Sequence, residues 1–171
     1  WPHRNEYDAR HLAARLREAG ATTALPVVAR PREPLTFREW HPGVKMQKGV
    51  LDIPCPVESV EVKPTVLLIP PVGFDDAGYR LGYGGGFFDR TLAAARPRPV
   101  AIGVAYEMSR LPTIRPQPYD MPLDYVVTEL GIYRREAGRL EFLGAPSDQR
   151  LPGLSSPVCY ADEAERPEFK S

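Results

Sequence analysis

Hydrophobic positions along this chain fall into one helical repeat near the start, a series of short apolar runs, and a second helical repeat in the middle. Tyr7, Leu12, Ala13, Leu16 and Ala19 recur at helical spacing over 6–17, and Gly20 stands where a left-handed residue stops a helix. An amphipathic helix is expected there. Apolar runs at 24–29, 65–70, 100–106 and 125–128 are each bounded by Pro, Gly or Asp, which predicts buried strands. Between the second and third, Phe87, Phe88, Leu92 and Ala95 repeat as one helix face over 85–95. The order strand, loop, helix, strand is the unit from which α/β sheets are built. An outer strand is expected over 35–40, a long connection without periodic signal over 42–56, and a hairpin from 130–134 and 139–143. Beyond Gly144, proline, serine and acidic residues replace the periodic hydrophobics, so 1–144 reads as one α/β domain and 145–171 as an irregular tail.

Composition narrows the class. A chain of 171 residues suits one core, and 43% hydrophobic with 26% charged residues is the make-up of a globular protein rather than a disordered or membrane one. Lys and Arg number 22 against 22 Asp and Glu, so bulk attraction to nucleic acid or an anionic membrane is not expected. An anionic ligand must be held locally. Cys55 and Cys159 lie far apart and lack metal-ligand spacing, which predicts a reducing, cytoplasmic location. His3, His11 and His41 have no metal spacing either and read as surface or pocket-rim residues. The apolar runs are far shorter than the roughly 20 residues that cross a bilayer. The chain opens at Trp1, inside a plausible element, so residues are expected to precede it.

The feature that demands chemistry is the glycine run. Arg80-Leu81-Gly82-Tyr83-Gly84-Gly85-Gly86-Phe87-Phe88-Asp89-Arg90 follows an apolar strand and opens a helix. Backbone N–H groups without side chains approach oxygen atoms closely, and the helix N-terminus adds partial positive charge, so the run suits phosphate. Arg80 and Arg90 can add charge-assisted hydrogen bonds, and Asp89 can hold magnesium or orient its waters. The same residues also suit a tight turn, with Arg80 as a surface charge and Asp89 complementing the helix dipole. Neither the P-loop pattern nor the dinucleotide fingerprint matches.

The run resembles the signature of the 5-formyltetrahydrofolate cyclo-ligases, and the likeness includes Pro70-Pro71-Val72-Gly73-Phe74-Asp75, Gly78 and Tyr79 before it and Leu92 after it. It continues through Ala101-Ile102-Gly103-Val104-Ala105-Tyr106, through Tyr119-Asp120-Met121-Pro122-Leu123-Asp124, and to Asn5-Glu6-Tyr7-Asp8 and Ile53-Pro54-Cys55-Pro56. What the resemblance implies is a three-layer α/β sandwich, with a mainly parallel central sheet flanked by helices, Rossmann-like and of CoA-transferase-like topology. It further implies ATP- and magnesium-dependent conversion of 5-formyltetrahydrofolate to 5,10-methenyltetrahydrofolate. Arg80, Leu81, Gly82, Tyr83, Gly84, Gly85, Gly86, Phe87 and Phe88 match the ATP loop, Arg80 and Asp89 the catalytic pair, and Asp89 and Asp120 the metal carboxylates. Trp1, Glu6, Tyr83 and Phe87 fall on or near folate-contacting positions. The partners implied are folate and ATP, with a monomer expected and a dimer left open. Asp120 also suits a turn beside Pro118 and Pro122, and Glu6 an acid at a helix start. Trp40, Met46 and Phe74 suit either a pterin pocket or the core.

The chain departs from the family pattern in places. Phe87-Phe88 stand where Tyr-Tyr is usual, Gly85 and its neighbours lack a basic residue within the glycines, Cys55 replaces an acid or amide, and Tyr119 a frequent His. The family's basic N-terminal helix is not in this sequence. A related protein acting on another formyl or amide compound, or a non-catalytic nucleotide- or pterin-binding module, is the alternative these departures raise.

Overall fold

The structure, a computed structural model, describes residues 6–50, 53–57 and 59–145. Trp1, His3, Cys159 and the tail beyond 145 lie outside the described residues. In chain order come α1 (Arg10–Glu18), β1 (Ala24–Val27), β2 (Thr36–Glu39), β3 (Met46–Lys48), β4 (Pro54–Pro56), β5 (Val66–Ile69), β6 (Gly73–Asp75) and β7 (Arg80–Leu81). There follow α2 (Phe87–Ala94), β8 (Val100–Val104), a 3-10 turn at Glu107–Ser109, β9 (Arg110–Leu111), β10 (Tyr125–Val127), β11 (Ile132–Glu136) and β12 (Arg139–Gly144).

The largest sheet has the order β12-β11-β10-β8-β5. β5, β8 and β10 run parallel, whereas β11 and β12 join antiparallel. The sheet is therefore mixed rather than mainly parallel, because the hairpin that follows β10 is a local connection and needs no crossover helix. Alternate residues of the parallel strands, Leu67, Ile69, Ala101 and Val126, point into one core with Phe37, Phe74, Leu92 and Leu123. On the opposite face of the pleat, Val66 and Val100 stay partly exposed. Leu92 brings α2 onto the core, whereas α1 has no buried residue.

The first helix begins at Arg10, later than the periodicity suggests. Asp8 accepts the Arg10 backbone N–H at 3.0 Å and also binds its guanidinium, which fixes the chain just before the first turn. The helix ends as expected at Gly20, whose N–H donates to the Arg17 carbonyl while Ala21 N–H reaches Leu16, the paired bonds of a Schellman stop. The stretch 42–56, expected to be a connection, holds the antiparallel pair β3 and β4. Their prolines hid the pattern: Pro54 and Pro56 sit in a short two-stranded sheet where missing N–H groups are tolerated.

Likewise, the segment after Pro71 forms β6, paired with β7 and β9, where a loop was expected. Asp75 makes this possible. Its side chain is buried and accepts N–H bonds from Ala77 (3.1 Å), Tyr79 (3.0 Å) and Ile114 (3.1 Å). A single carboxylate thereby folds the 75–79 turn and ties it to the 112–124 segment. Nearby, Arg110 lies over the rings of Phe74 (4.9 Å) and Tyr133 (4.5 Å) and pairs with Asp76 and Glu107. Burial works to raise the Glu107 carboxyl, but bonds from Arg110 and Thr128 outweigh it and hold the group below its ordinary range.

Replacing Asp75 by Ala orphans three backbone donors, so urea unfolding should show a loss of about 3 to 5 kcal/mol. Asp76→Ala, at a mostly exposed side chain, should cost about 1 kcal/mol or less. Equal, small losses would contradict the role of Asp75.

Candidate active site

The glycine run lies between β7 and α2. Residues 81–85 are exposed, and Gly86 forms the N-cap of α2 at φ 58°, a conformation open to glycine at little cost. A Cβ on Gly85 would stand 2.8 Å from the Phe87 ring, so a side chain there would require that ring to shift. No side-chain hydrogen bond caps the helix, which leaves its first N–H groups for water or a ligand. Arg90 braces this cradle from beneath: it donates to the Gly85 carbonyl at 2.6 Å and lies 5.1 Å from the Phe87 ring centre.

Arg80 points inward. Its side chain is only 6% exposed, and it donates to Asp89 Oδ1 at 2.8 Å and to the Met121 carbonyl at 2.5 Å. Asp89 Oδ1 also accepts the Met121 N–H at 3.0 Å, so three residues from three segments close a ring of hydrogen bonds. Burial pushes the Arg80 guanidinium below its ordinary value, and the charge and hydrogen bond of Asp89, then the charge of Asp120, oppose the shift. Arg80, expected either to bond phosphate or to be a surface charge, is instead buried and bonded to Asp89 and the Met121 carbonyl, a clamp that positions Asp89.

That clamp brings the two acids onto neighbouring segments, because Asp120 immediately precedes Met121. Asp120 itself closes a turn: Oδ2 accepts the Gln117 N–H at 2.7 Å, and its own N–H returns to the Gln117 carbonyl at 2.9 Å. Among the described residues, no three His, Cys, Asp or Glu side chains gather as a metal cluster. Two carboxylates on segments adjoining a glycine loop have the chemistry that suits magnesium binding together with a nucleotide.

Other expected residues divide between loop and scaffold. Tyr83 is exposed in the loop, Phe87 lies at its foot, and Phe88 packs partly against the core. Glu6 is half-buried on the segment leading into α1, and not on the loop. Phe74 is fully buried and belongs to the core. Sequence reasoning missed the parts played by Met121, Asp75 and the inward Arg80. Met121 acts through its backbone, which no residue type announces, whereas Asp75 three residues before Gly78 is a turn signature that was legible.

Residues 2–129 match the family model described as the 5-formyltetrahydrofolate cyclo-ligase family. The chain belongs to this cyclo-ligase family. It is 35% identical over 131 residues to the 5-formyltetrahydrofolate cyclo-ligase of Escherichia coli, covering 72% of this chain and 71% of that protein. It is 33% identical to the Mycolicibacterium smegmatis cyclo-ligase, covering 66% of this chain but 62% of the relative's length. Among solved structures, Aquifex aeolicus 5,10-methenyltetrahydrofolate synthetase aligns with a TM-score of 0.67 at 28% identity, over 87% of this chain and 75% of that one. The Mycoplasma pneumoniae synthetase aligns at 0.58 and 25% identity, over 74% and 68%. The cyclo-ligase match takes in α1, the glycine loop and the clamp, and stops before the β11–β12 hairpin.

Because the Arg80 and Asp89 side chains are largely withdrawn from water, removing either partner strands the other. Arg80→Met and Asp89→Leu should each lower unfolding stability by about 3 kcal/mol, and the double variant should lose clearly less than their sum. Strict additivity would show that the pair is not coupled.

Proposed function

We propose that this chain converts 5-formyltetrahydrofolate to 5,10-methenyltetrahydrofolate at the expense of ATP, releasing ADP and phosphate. The observation that carries the reading is the ring of Arg80, Asp89 and Met121 beside an uncapped helix N-terminus and a glycine cradle. The family membership and the names of the relatives point the same way.

The chemistry needs activation. A formyl oxygen is a poor leaving group, so it first attacks the γ-phosphorus of ATP and ADP departs. N10 then attacks the activated formyl carbon, phosphate leaves carrying that oxygen, and loss of the N10 proton completes the methenyl bridge. Such a transfer depends on positioning and charge neutralisation rather than on a protein nucleophile. Magnesium would supply positive charge to offset that of the phosphates. The residues of this chain that would hold it are Asp89 and Asp120. The α2 N–H groups and the loop from Leu81 to Phe88 cradle the phosphates. Arg80 keeps Asp89 aimed, and Glu6, with Trp1 and Tyr83, serves the pterin, whose amino-pyrimidinone edge offers donors to a carboxylate.

The half-open sheet face at Val66 and Val100 supports the three-layer form of the domain, since a helix laid there would cover both. No helix among the described residues is long and apolar enough to cross a membrane, in keeping with the proposed cytoplasmic location. One observation favours a second reading: Phe87 and Phe88 offer no hydroxyl beside the cradle, which suits a relative acting on a different formyl or amide compound.

Mixing the protein with 5-formyltetrahydrofolate should produce the methenyl chromophore only when ATP and magnesium are both present. Absence of the chromophore with all components, combined with retained nucleotide binding, would favour the second reading.

A further inference from the structure

Two arginines flank the glycine run, and only one of them is matched by a carboxylate. Arg80 is taken up by Asp89, whereas Arg90 has no ion pair among the described residues and stands near the start of α2, at the positive end of the helix dipole. Its side chain turns back toward the helix start, as long side chains on helices do. Nη2 donates to the Gly85 carbonyl at 2.6 Å, Nη1 lies 3.0 Å from where a Cβ on Gly86 would stand, and the guanidinium carbon rests 5.1 Å from the Phe87 ring centre. Nε is buried and has no hydrogen-bond partner. This placement costs stability, because the dipole repels the cation and one buried donor goes unmet. What it provides is the bond to Gly85.

That bond fixes a peptide plane. Among the described residues the one cis peptide is Arg96–Pro97, so the Gly85–Gly86 peptide is trans, and its carbonyl and N–H point in opposite directions. With the carbonyl turned onto Arg90, the Gly86 N–H is turned away from it, and that N–H has no acceptor among the described residues. The Gly86 carbonyl is already occupied by the Arg90 N–H at 3.2 Å, which starts the helix. Glycine on both sides of the peptide makes the reversed orientation cheap, since either sign of φ is open to Gly85 and Gly86. Reversed, the plane would present a carbonyl oxygen where the N–H now stands, and an oxygen there repels phosphate.

We propose that Arg90 is a positioning residue for the nucleotide: by holding the Gly85 carbonyl it keeps the Gly86 N–H presented to a phosphate oxygen, without touching the phosphate itself. The inference deepens the cyclo-ligase reading and rests on it, because it takes the glycine loop as the phosphate site of that reaction. A loop with two orientations, of which the ligand accepts one, binds with an affinity proportional to the fraction in which the carbonyl is latched. Arg90 sets that fraction before any ligand arrives, which is how a preformed loop gains affinity. Phe87 gives the guanidinium a flat support, a duty that needs a ring and no hydroxyl.

Calorimetric titration of ATP, inorganic tripolyphosphate and 5-formyltetrahydrofolate into wild type and Arg90→Met tests this. Methionine keeps an apolar stem against Phe87 and removes the donors. Arg90→Met, checked as folded by circular dichroism, should weaken ATP and tripolyphosphate about tenfold, as expected if the latched fraction falls to about one tenth, and leave the affinity for 5-formyltetrahydrofolate unchanged. Arg90→Lys, which keeps a donor near the carbonyl, should recover part of the loss. In turnover, Arg90→Met should raise the ATP KM more than it lowers kcat. In amide NMR spectra of protein carrying isotope-labelled glycine, tripolyphosphate should shift the Gly86 signal of the wild type and not that of Arg90→Met, a readout that a merely structural role would not move. Unchanged ATP affinity in Arg90→Met would overturn the proposal, as would an equal loss of folate affinity. If the wild type forms no methenyl product while tripolyphosphate binding still depends on Arg90, the cyclo-ligase reading falls and the latch stands. If the wild type turns over and Arg90→Met keeps the same ATP KM, the latch falls and the reading stands.

Discussion

Arg80 carries a charge that has been taken almost wholly out of water, and the surrounding fold is arranged so that this charge is met on every side that the hydrogen bonds reach. Its guanidinium joins Asp89, from the first turn of α2, to the Met121 carbonyl, and Asp89 returns a bond to the Met121 N–H. An isolated buried guanidinium would be costly, so neither partner can drift without penalty. The consequence reaches beyond stability. The same bonds set where the acid at the head of α2 stands relative to the segment carrying Asp120, and they do so before any ligand is present. Asp75 works in parallel at the preceding turn, holding β6 and therefore β7 in the register that delivers Arg80 to the clamp.

Much of this was written in the hydrophobic pattern. The parallel strands, α2 and the terminal hairpin follow from runs and repeats at 65–70, 85–95, 100–106, 125–128 and 130–143, with boundaries moved by a few residues. Other parts were not legible, for identifiable reasons. β3 and β4 are short and proline-bearing, and β6 and β7 are three and two residues long, too brief for a period to register. The late start of α1 comes from one local contact, Asp8 with Arg10. The glycine run was legible as a motif, whereas the burial of Arg80 was not. A sequence shows that Arg80 precedes a phosphate-type loop, but burial decides whether its charge faces the loop or the fold, and here it faces the fold.

The departures from the family pattern acquire physical meaning in this setting. Phe88 is partly spent on core packing, and Phe87 supports the loop through Arg90. The rings thus fulfil the packing duties of the position without a hydroxyl. In the proposed reading, charge at the loop would come from the helix terminus and from a metal held by the two carboxylates, in a chain whose net charge is zero.

The central claim is that the clamp prepares Asp89 to act with Asp120 on a magnesium–nucleotide complex. Calorimetric titration of ATP, with and without magnesium, into wild type, Asp89→Asn and Asp120→Asn tests it directly. Wild type is expected to bind more tightly with magnesium, and both variants, checked as folded by circular dichroism, to lose that increment. Retention of the full magnesium increment in both variants would contradict the claim and leave the two acids as capping and turn residues.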